Sequence, residues 1–463
     1  MKKHNSASRM DAFFTKRLSG NVFTWRGILQ MTIPFMLDSL SIMLIGMLIT
    51  ALISSNGESS VAAVSLVGPV TNLVVCMFNG IGAGGTVVVS QSCGMGDPKR
   101  VARACSQVIW LTVLIGIVSC LPLLIFPDAV LMALYPKAEA EVLQKASVYL
   151  AGSTWSILAF TVYTAMYSVL RGLGESKKCL ILSIIINVAY LLFSILFLNW
   201  LKLDIQGSVY ALILARILGA ACAVALLFFI HPPIKVSLRE LISYDRQLVG
   251  STLRVSVPLG LEQIFSTCGS IVAGMFMVQL GTTAVAINAI ANSLLGVLYA
   301  AANSAGTLAV TLVGRCIGAG EREEARRYSI STVHICTVIL ALSAVIFFPL
   351  LPLLLKQYNP TPEAAATAKQ LLLLSIPALF LCWPMSTTMP SSLRAANDTM
   401  FPSVFSLAAL WVLNIGLAYV LAIHAGMGLM GVWIATWAAW AVRAVGFYIR
   451  YRKLDWAKAV CTK

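Results

Sequence analysis

The chain has 463 residues, 59% of them hydrophobic and only 11% charged, and its mean hydropathy of +0.87 excludes an ordinary soluble globular protein. A formal charge of +15 would suit nucleic acid if it were clustered, but the Lys and Arg residues are spread between apolar runs, which excludes that partner. Composition points to a protein whose solvent is the lipid bilayer.

Taken in chain order, the segment before Gly27 is polar and basic with no apolar run, so no cleavable signal peptide is expected. Twelve apolar runs follow, at 28–53, 62–91, 104–126, 146–169, 179–200, 207–230, 252–280, 284–316, 329–354, 368–392, 401–423 and 426–449. Each meets the ~20 helical residues that a hydrocarbon core of ~30 Å requires. The expected fold class is therefore an all-α membrane protein of twelve transmembrane helices. With the N-terminus placed in the cytoplasm, 27 of the 33 Lys and Arg residues fall on inner segments or inner span ends and 5 on outer ones, with Arg216 alone near the middle of a span. That bias predicts a multi-pass protein of the cell membrane with both termini cytoplasmic. The eleven cysteines form no C-x-x-C pair and most lie within apolar runs, where a thiol behaves as a small hydrophobe.

The second run ends in "FNGIGAGGTVVVSQSCGMGD", and "ANSAGTLAVTLVGRCIGAGE" returns near the end of the eighth. One constant shift lays Pro34 on Pro258, Gly94 on Gly318, Gly96 on Gly320, Asp97 on Glu321 and Gly207 on Gly431, and a shift shorter by a single position lays Arg171 on Arg394. The chain is thus two six-span halves facing the same way, a recurrent transporter plan in which substrate binds between the repeats. The expected segments are a cytoplasmic tail at 1–27, a bundle at 28–230, a cytoplasmic linker at 231–251, a second bundle at 252–449 and a tail at 450–463. The glycines Gly80, Gly82, Gly84 and Gly85 are expected where helices pack closely, and Pro69 where the second helix bends.

These segments resemble the multidrug and toxic compound extrusion (MATE) family. "AAVSLVGPVTNLVVCMFNGIGAGGTVVVSQSCGMGDPKRV" is similar to its second-helix signature and "GTLAVTLVGRCIGAGEREEARR" to the eighth-helix counterpart. "RGLGESKK", "RAANDTMFP" and "PLGLEQ" resemble its loops after helices four and ten and the start of helix seven. The resemblance implies a transporter and no enzyme: an antiporter that exports amphiphilic, often cationic, compounds in exchange for Na⁺ or H⁺. It also implies a first-half cation site that this chain lacks. An aspartate carried by many members about fifteen residues after the first-helix proline is replaced by Ile49, Asn187 is followed by Leu191, Leu212 stands near a threonine position, and Ser266 replaces a helix-seven glutamate.

The energy source can be narrowed from the residues themselves. No G-x-x-x-x-G-K-[ST] loop is present, which argues against ATP and for an ion gradient. Coupling to a cation calls for a carboxylate inside the bilayer, where an unneutralised charge is costly. Of the 18 acidic residues only Asp38 and Glu262 lie well inside apolar runs, each four residues after a matched proline and ten residues into its span, or ~15 Å at 1.5 Å per residue. Both are expected to couple cation to substrate. Arg216, at similar depth in the first half, is expected to form an ion pair with Asp38; its duplicate is Trp440, so Glu262 has no matching cation and is the stronger coupling residue. With the sodium site missing, H⁺ is favoured over Na⁺.

Gln263, Asn187, Asn288, Asn292, Tyr163 and Trp383 are the residues expected to line a substrate cavity, the rings by stacking on cargo. Interhelical hydrogen bonding and interface anchoring are the competing explanations for such side chains. Four scattered histidines and the absence of H-E-x-x-H predict neither a metal site nor a cofactor, and a monomer is expected. Two further readings remain open: a lipid-linked sugar flippase of the same superfamily, which would call for several cationic side chains in a groove, and a transport-inactive sensor.

Overall fold

The computed structural model describes residues 15, 19–54, 58–135, 140–201, 203–229, 244–356, 358 and 361–456; of the expected segments, 1–14, 16–18, 230–243 and 457–463 lie outside them. The described residues are helical almost throughout and contain no strand. In chain order the helices are α1 Trp25–Ser54, α2 Glu58–Gly94, α3 Pro98–Ile125, α4 Pro127–Leu134, α5 Ala140–Gly172, α6 Ser176–Ser194, α7 Asp204–Phe228 and α8 Arg246–Gln279. They continue as α9 Thr282–Ala300, α10 Ser304–Ala319, α11 Arg322–Lys356, α12 Pro362–Leu374, α13 Ile376–Leu381, α14 Trp383–Ala395, α15 Met400–Ala409 and α16 Gly428–Lys453.

Among the described residues eleven helical segments are long and apolar enough to cross a membrane. The remaining expected span, 146–169, lies inside α5, which is helical for 33 residues. Buried hydroxyl residues, among them Thr154, Ser156, Thr161 and Thr164, lower its hydropathy. Several of these hydroxyls donate back to the carbonyl of the preceding turn, Thr154 Oγ1 to Leu150 at 2.7 Å and Thr161 Oγ1 to Leu158 at 2.7 Å, so polarity is carried without an unsatisfied group. A lipid-facing helix reads differently. On α11, Val338, Leu342, Val345, Ile346 and Leu353 are all more than half exposed.

The duplication is visible in helix ends. Asp97 caps α3, its carboxylate accepting from Lys99 N at 2.9 Å, with Pro98 filling the first turn where no amide is needed. Gly96 just before it has φ 75°, and its repeat counterpart Gly320, just before α11, has φ 85°, the left-handed conformation that only glycine adopts freely. The π-turn Ile195–Trp200 that continues α6 is matched by the π-turn Val420–His424 beyond α15.

Contacts divide the chain into two compact units that are not the same partition as the two sequence halves. One, here the anterior unit, comprises residues 41–92 and 97–264; the other, the posterior unit, comprises 1–40, 93–96 and 265–463. The anterior unit therefore takes the first part of α8, and the posterior unit the first part of α1. In the anterior unit α5 packs against α3, α6 and α7, and a core of Val67, Phe78, Leu123, Leu150 and Ile157 is drawn from α2, α3 and α5. The α2 glycines let three neighbours approach. A Cβ on Gly80 would come within 2.6 Å of Gly260 Cα, and one on Gly84 within 2.8 Å of Ser256 N, both on α8; Gly82 faces Ser168 of α5, and Gly85 faces Val108 of α3.

The posterior unit packs α10 against α11 and α14, and α14 against α16. Its larger core joins Leu294, Leu298, Leu340, Phe347 and Trp383 with Trp433, and Met36 and Leu40 of α1 pack onto it. The segment entering α1 is tied to the start of α11. The Glu324 carboxylate accepts from the backbone N–H groups of Asn21 and Val22, Arg327 donates to Ser19 O at 2.9 Å, and the Phe23 ring meets Tyr328 edge-on. The anterior unit repeats this docking at the entrance to α8, where Asp245, the duplicate of Asn21, pairs with Arg103 of α3 at 3.6 Å.

Candidate functional site

The anterior unit encloses a cavity of about 590 Å³. Its lining comes from α2 (Asn79, Gly80, Ala83, Thr86), α5 (Phe160, Tyr163, Thr164, Tyr167, Ser168, Arg171), α6 (Ser183, Ile186, Asn187, Tyr190), α7 (Leu212, Ala215, Arg216) and α8 (Leu259, Gln263), with Ile42 of α1. The α5 contribution follows from helical spacing: residues 160, 163, 167 and 171 fall three or four apart and share one face. Along that face Phe160 stacks on Tyr163 at 5.6 Å between centroids, and Tyr163 on Tyr167 at 5.4 Å, with the planes nearly parallel.

An arginine closes each end of the stack. Arg216 of α7 lies over Phe160 at 4.6 Å and donates from Nη1 to Ser156 Oγ at 2.8 Å. Arg171 lies over Tyr167 at 4.3 Å and donates to its hydroxyl at 2.9 Å. From Phe160 to Arg171 the face runs roughly 16 Å at 1.5 Å per residue. Arg216 is twelve residues into a 25-residue helix, and hence near its middle. Asn187 is oriented by its own helix, Nδ2 donating to Ser183 O at 2.8 Å. Thr86 Oγ1 lies 3.0 Å from the carbonyls of both Gly82 and Ser168, joining α2 to α5. The lining is rich in hydroxyls, amides and rings, and among the described residues it contains two guanidinium groups and no carboxylate.

Of the residues expected from sequence, Tyr163, Asn187, Arg216 and Gln263 come together around this cavity. Glu262 is half-buried on α8 beside Gln263, and is not among the lining residues. Asp38 is fully buried and belongs to the posterior unit, whereas the hydrogen bond and ring contact of Arg216 are made within the anterior one. Asn288 and Asn292 lie on α9 in the posterior unit and bond to each other, Nδ2 to Oδ1 at 3.0 Å, while Trp433 Nε1 donates to Asn288 Oδ1 at 3.2 Å. Trp383 is 4% exposed and stacks on Tyr299 at 5.0 Å, as part of the posterior core. Trp155, 60% exposed, lies on the surface of the helix bundle, outside the cavity lining. Phe160 and Arg171 escaped the sequence reading, because Arg171 reads as one more inner-loop charge; the signal was the shared α5 face.

A family model, MatE, matches residues 34–196 and again 258–420, and the two matches are offset by the same interval as the internal repeat. The chain belongs to the MATE family. Among its relatives, "Probable multidrug resistance protein YoeA" of Bacillus subtilis is 24% identical over 450 residues, covering 95% of this chain and 96% of its own. "Probable multidrug resistance protein NorM" of Bradyrhizobium diazoefficiens is 28% identical, covering 92% of each chain. The solved outward-facing structure of a multidrug resistance MATE family transporter of the MOP superfamily shares the fold, with a TM-score of 0.85 at 18% identity over 95% of this chain and 97% of that one. The protein is accordingly a multi-pass membrane transporter of the MATE family and not an enzyme, and its fold is the twelve-helix duplicated bundle.

Proposed function

We propose that this MATE protein is a secondary antiporter that exports amphiphilic small molecules across the plasma membrane, driven by an inward cation gradient, with H⁺ preferred to Na⁺. The observation that carries the reading is the membrane-embedded cavity of about 590 Å³, lined by rings, amides and hydroxyls, in a chain of a transporter family. Glu262 couples the gradient: it is half-buried, four residues after Pro258, and its neighbour Gln263 lines the cavity. Cation binding at this carboxylate alters the helix that carries Gln263, and a ligand shifts a conformational equilibrium only through such differential affinity. Asp38 is a second, buried coupling residue.

The protein acts as a monomer with both termini cytoplasmic. Single cysteines near Thr282 and Ala425 then react with impermeant reagents added outside, and those at Lys99 and Arg322 do not; outside labelling of the latter would overturn the orientation. The coupling test uses purified protein in vesicles under an imposed ΔpH or ΔNa⁺. Glu262→Gln should retain substrate binding and lose gradient-driven efflux, with a smaller loss for Asp38→Asn. Efflux at the parent rate in Glu262→Gln would refute its role. Two guanidinium groups on the cavity wall also favour a second reading, a lipid-linked sugar flippase, over the inactive sensor.

A further inference from the structure

We propose, building on the transport reading above, that the anterior cavity recognises an organic anion: a carboxylate, sulfonate or phosphate head group borne on an aromatic or apolar body. The first support is the position of Arg216. A guanidinium near the middle of a membrane helix is costly unless something compensates its charge. Among the described residues its hydrogen-bond partner is the neutral Ser156 hydroxyl, and the ionisable side chains around it are Tyr190, Tyr149 and Cys120, none of them a carboxylic acid. Ser156 and Phe160 hold the group in place; they do not neutralise it.

The second support is the cavity wall, which among the described residues holds Arg216 and Arg171 and no Asp or Glu. A cationic head group there would meet like charge, whereas an anionic one would compensate the guanidinium of Arg216. Guanidinium matches a carboxylate or phosphate with two parallel N–H donors, which sets the head-group class. The third support is the stack of Phe160, Tyr163 and Tyr167 between the two arginines, whose faces cover one another, so that it presents ring edges to an aromatic or apolar body and a cation at each end of the path. The family resemblance implies cationic cargo; the chemistry of this cavity selects the opposite sign.

The test is binding to the full chain in detergent, where no gradient is needed. 1-Naphthylacetate, 1-naphthylacetamide and 1-naphthylmethylammonium share one ring and differ in head-group charge; farnesyl phosphate and farnesol make the same comparison for a lipid-borne head group. The anion of at least one series should bind about tenfold or more tightly than its neutral partner, as a charge-assisted pair requires. A preference confined to farnesyl phosphate would assign the anion to a lipid, and one shown by naphthylacetate to a free amphiphile. Arg216→Gln should abolish the preference, Arg216→Lys should keep part of it, and Arg171→Gln should narrow it. If Arg216→Gln does not fold, as judged by its melting curve, the other two variants decide, and unchanged ratios in both overturn the proposal. Equal or tighter binding of the ammonium compound overturns it as well, as does an absent anion preference in both series. A protein that prefers the anion in detergent but moves none across vesicles under ΔpH or ΔNa⁺ would refute the transport reading and leave the anion site standing.

Discussion

α5 in the anterior unit and α12 to α14 in the posterior unit descend from the same segment, since the internal repeat lays 140–172 on 363–395. One is a single helix of 33 residues; the other is broken at Ser375 and Cys382, each followed within two residues by a proline, Pro377 and Pro384. The first break is held by its own side chain. Ser375 Oγ donates to Leu371 O at 2.7 Å and accepts from Trp437 Nε1 at 3.1 Å, tying the break to α16. Along the shared face Phe160 answers to Trp383, Tyr163 to Ser386 and Tyr167 to Pro390, while Arg216 of α7 answers to Trp440 of α16. The anterior copy keeps an open wall with charge at mid-depth, and the posterior copy fills the equivalent place with tryptophan. Duplication preserved the helix ends and left the interior free to diverge, because caps obey local backbone rules while the interior answers to what must be bound or packed.

The largest effect should come from the filled side. Trp383→Ala removes a side chain that is 4% exposed and stacked on Tyr299, and should cost about 3–5 kcal/mol in a thermal unfolding assay. Phe160→Ala, at the matching position on the half-exposed cavity wall, should cost less than half as much; equal losses would erase the distinction between packed and open copies. Next in size is helix approach. Gly80→Ala pushes a Cβ against the Gly260 backbone at 2.6 Å and should cost about 1–3 kcal/mol, whereas Gly306→Ala meets only the Ser391 hydroxyl at 3.2 Å and should change stability by less than about 1 kcal/mol.

The two docking segments give the finer comparison. Glu324→Ala leaves the amides of Asn21 and Val22 without their acceptor at a site 9% exposed, and should destabilise the posterior unit by about 1–3 kcal/mol. The smallest effect is expected for Asp245→Asn. Its pairing with Arg103 at 3.6 Å joins side chains that are 25% and 47% exposed, so the loss should stay below about 1 kcal/mol and shrink further in high salt. A larger loss at Asp245 than at Glu324 would reverse the ranking of the two docks.

Much of the architecture was legible in the sequence because hydrocarbon demands long apolar helices and because the repeat leaves matched glycines and prolines at fixed offset. The expected roles of Gly80 and Gly84 at helix contacts, and the duplicated turn at Gly96 and Gly320, follow from properties of glycine that no neighbour can change. The candidate site was legible only in part. Hydropathy and spacing singled out Tyr163, Asn187, Arg216 and Gln263, yet placed Asn288, Asn292 and Trp383 beside them, although these serve hydrogen bonding and packing in the other unit. Composition and the repeat by themselves determined a membrane transporter fold of two like halves. Only the tertiary structure decided that α1 and α8 each divide between the units, that Phe160 and Arg171 join the cavity, and that among the described residues its wall carries two arginines and no acid. The physical reason is range: helix formation and span length depend on residues within a few turns, whereas the sign of the charge in a cavity is set by side chains from helices far apart in sequence, whose neighbours are chosen by packing.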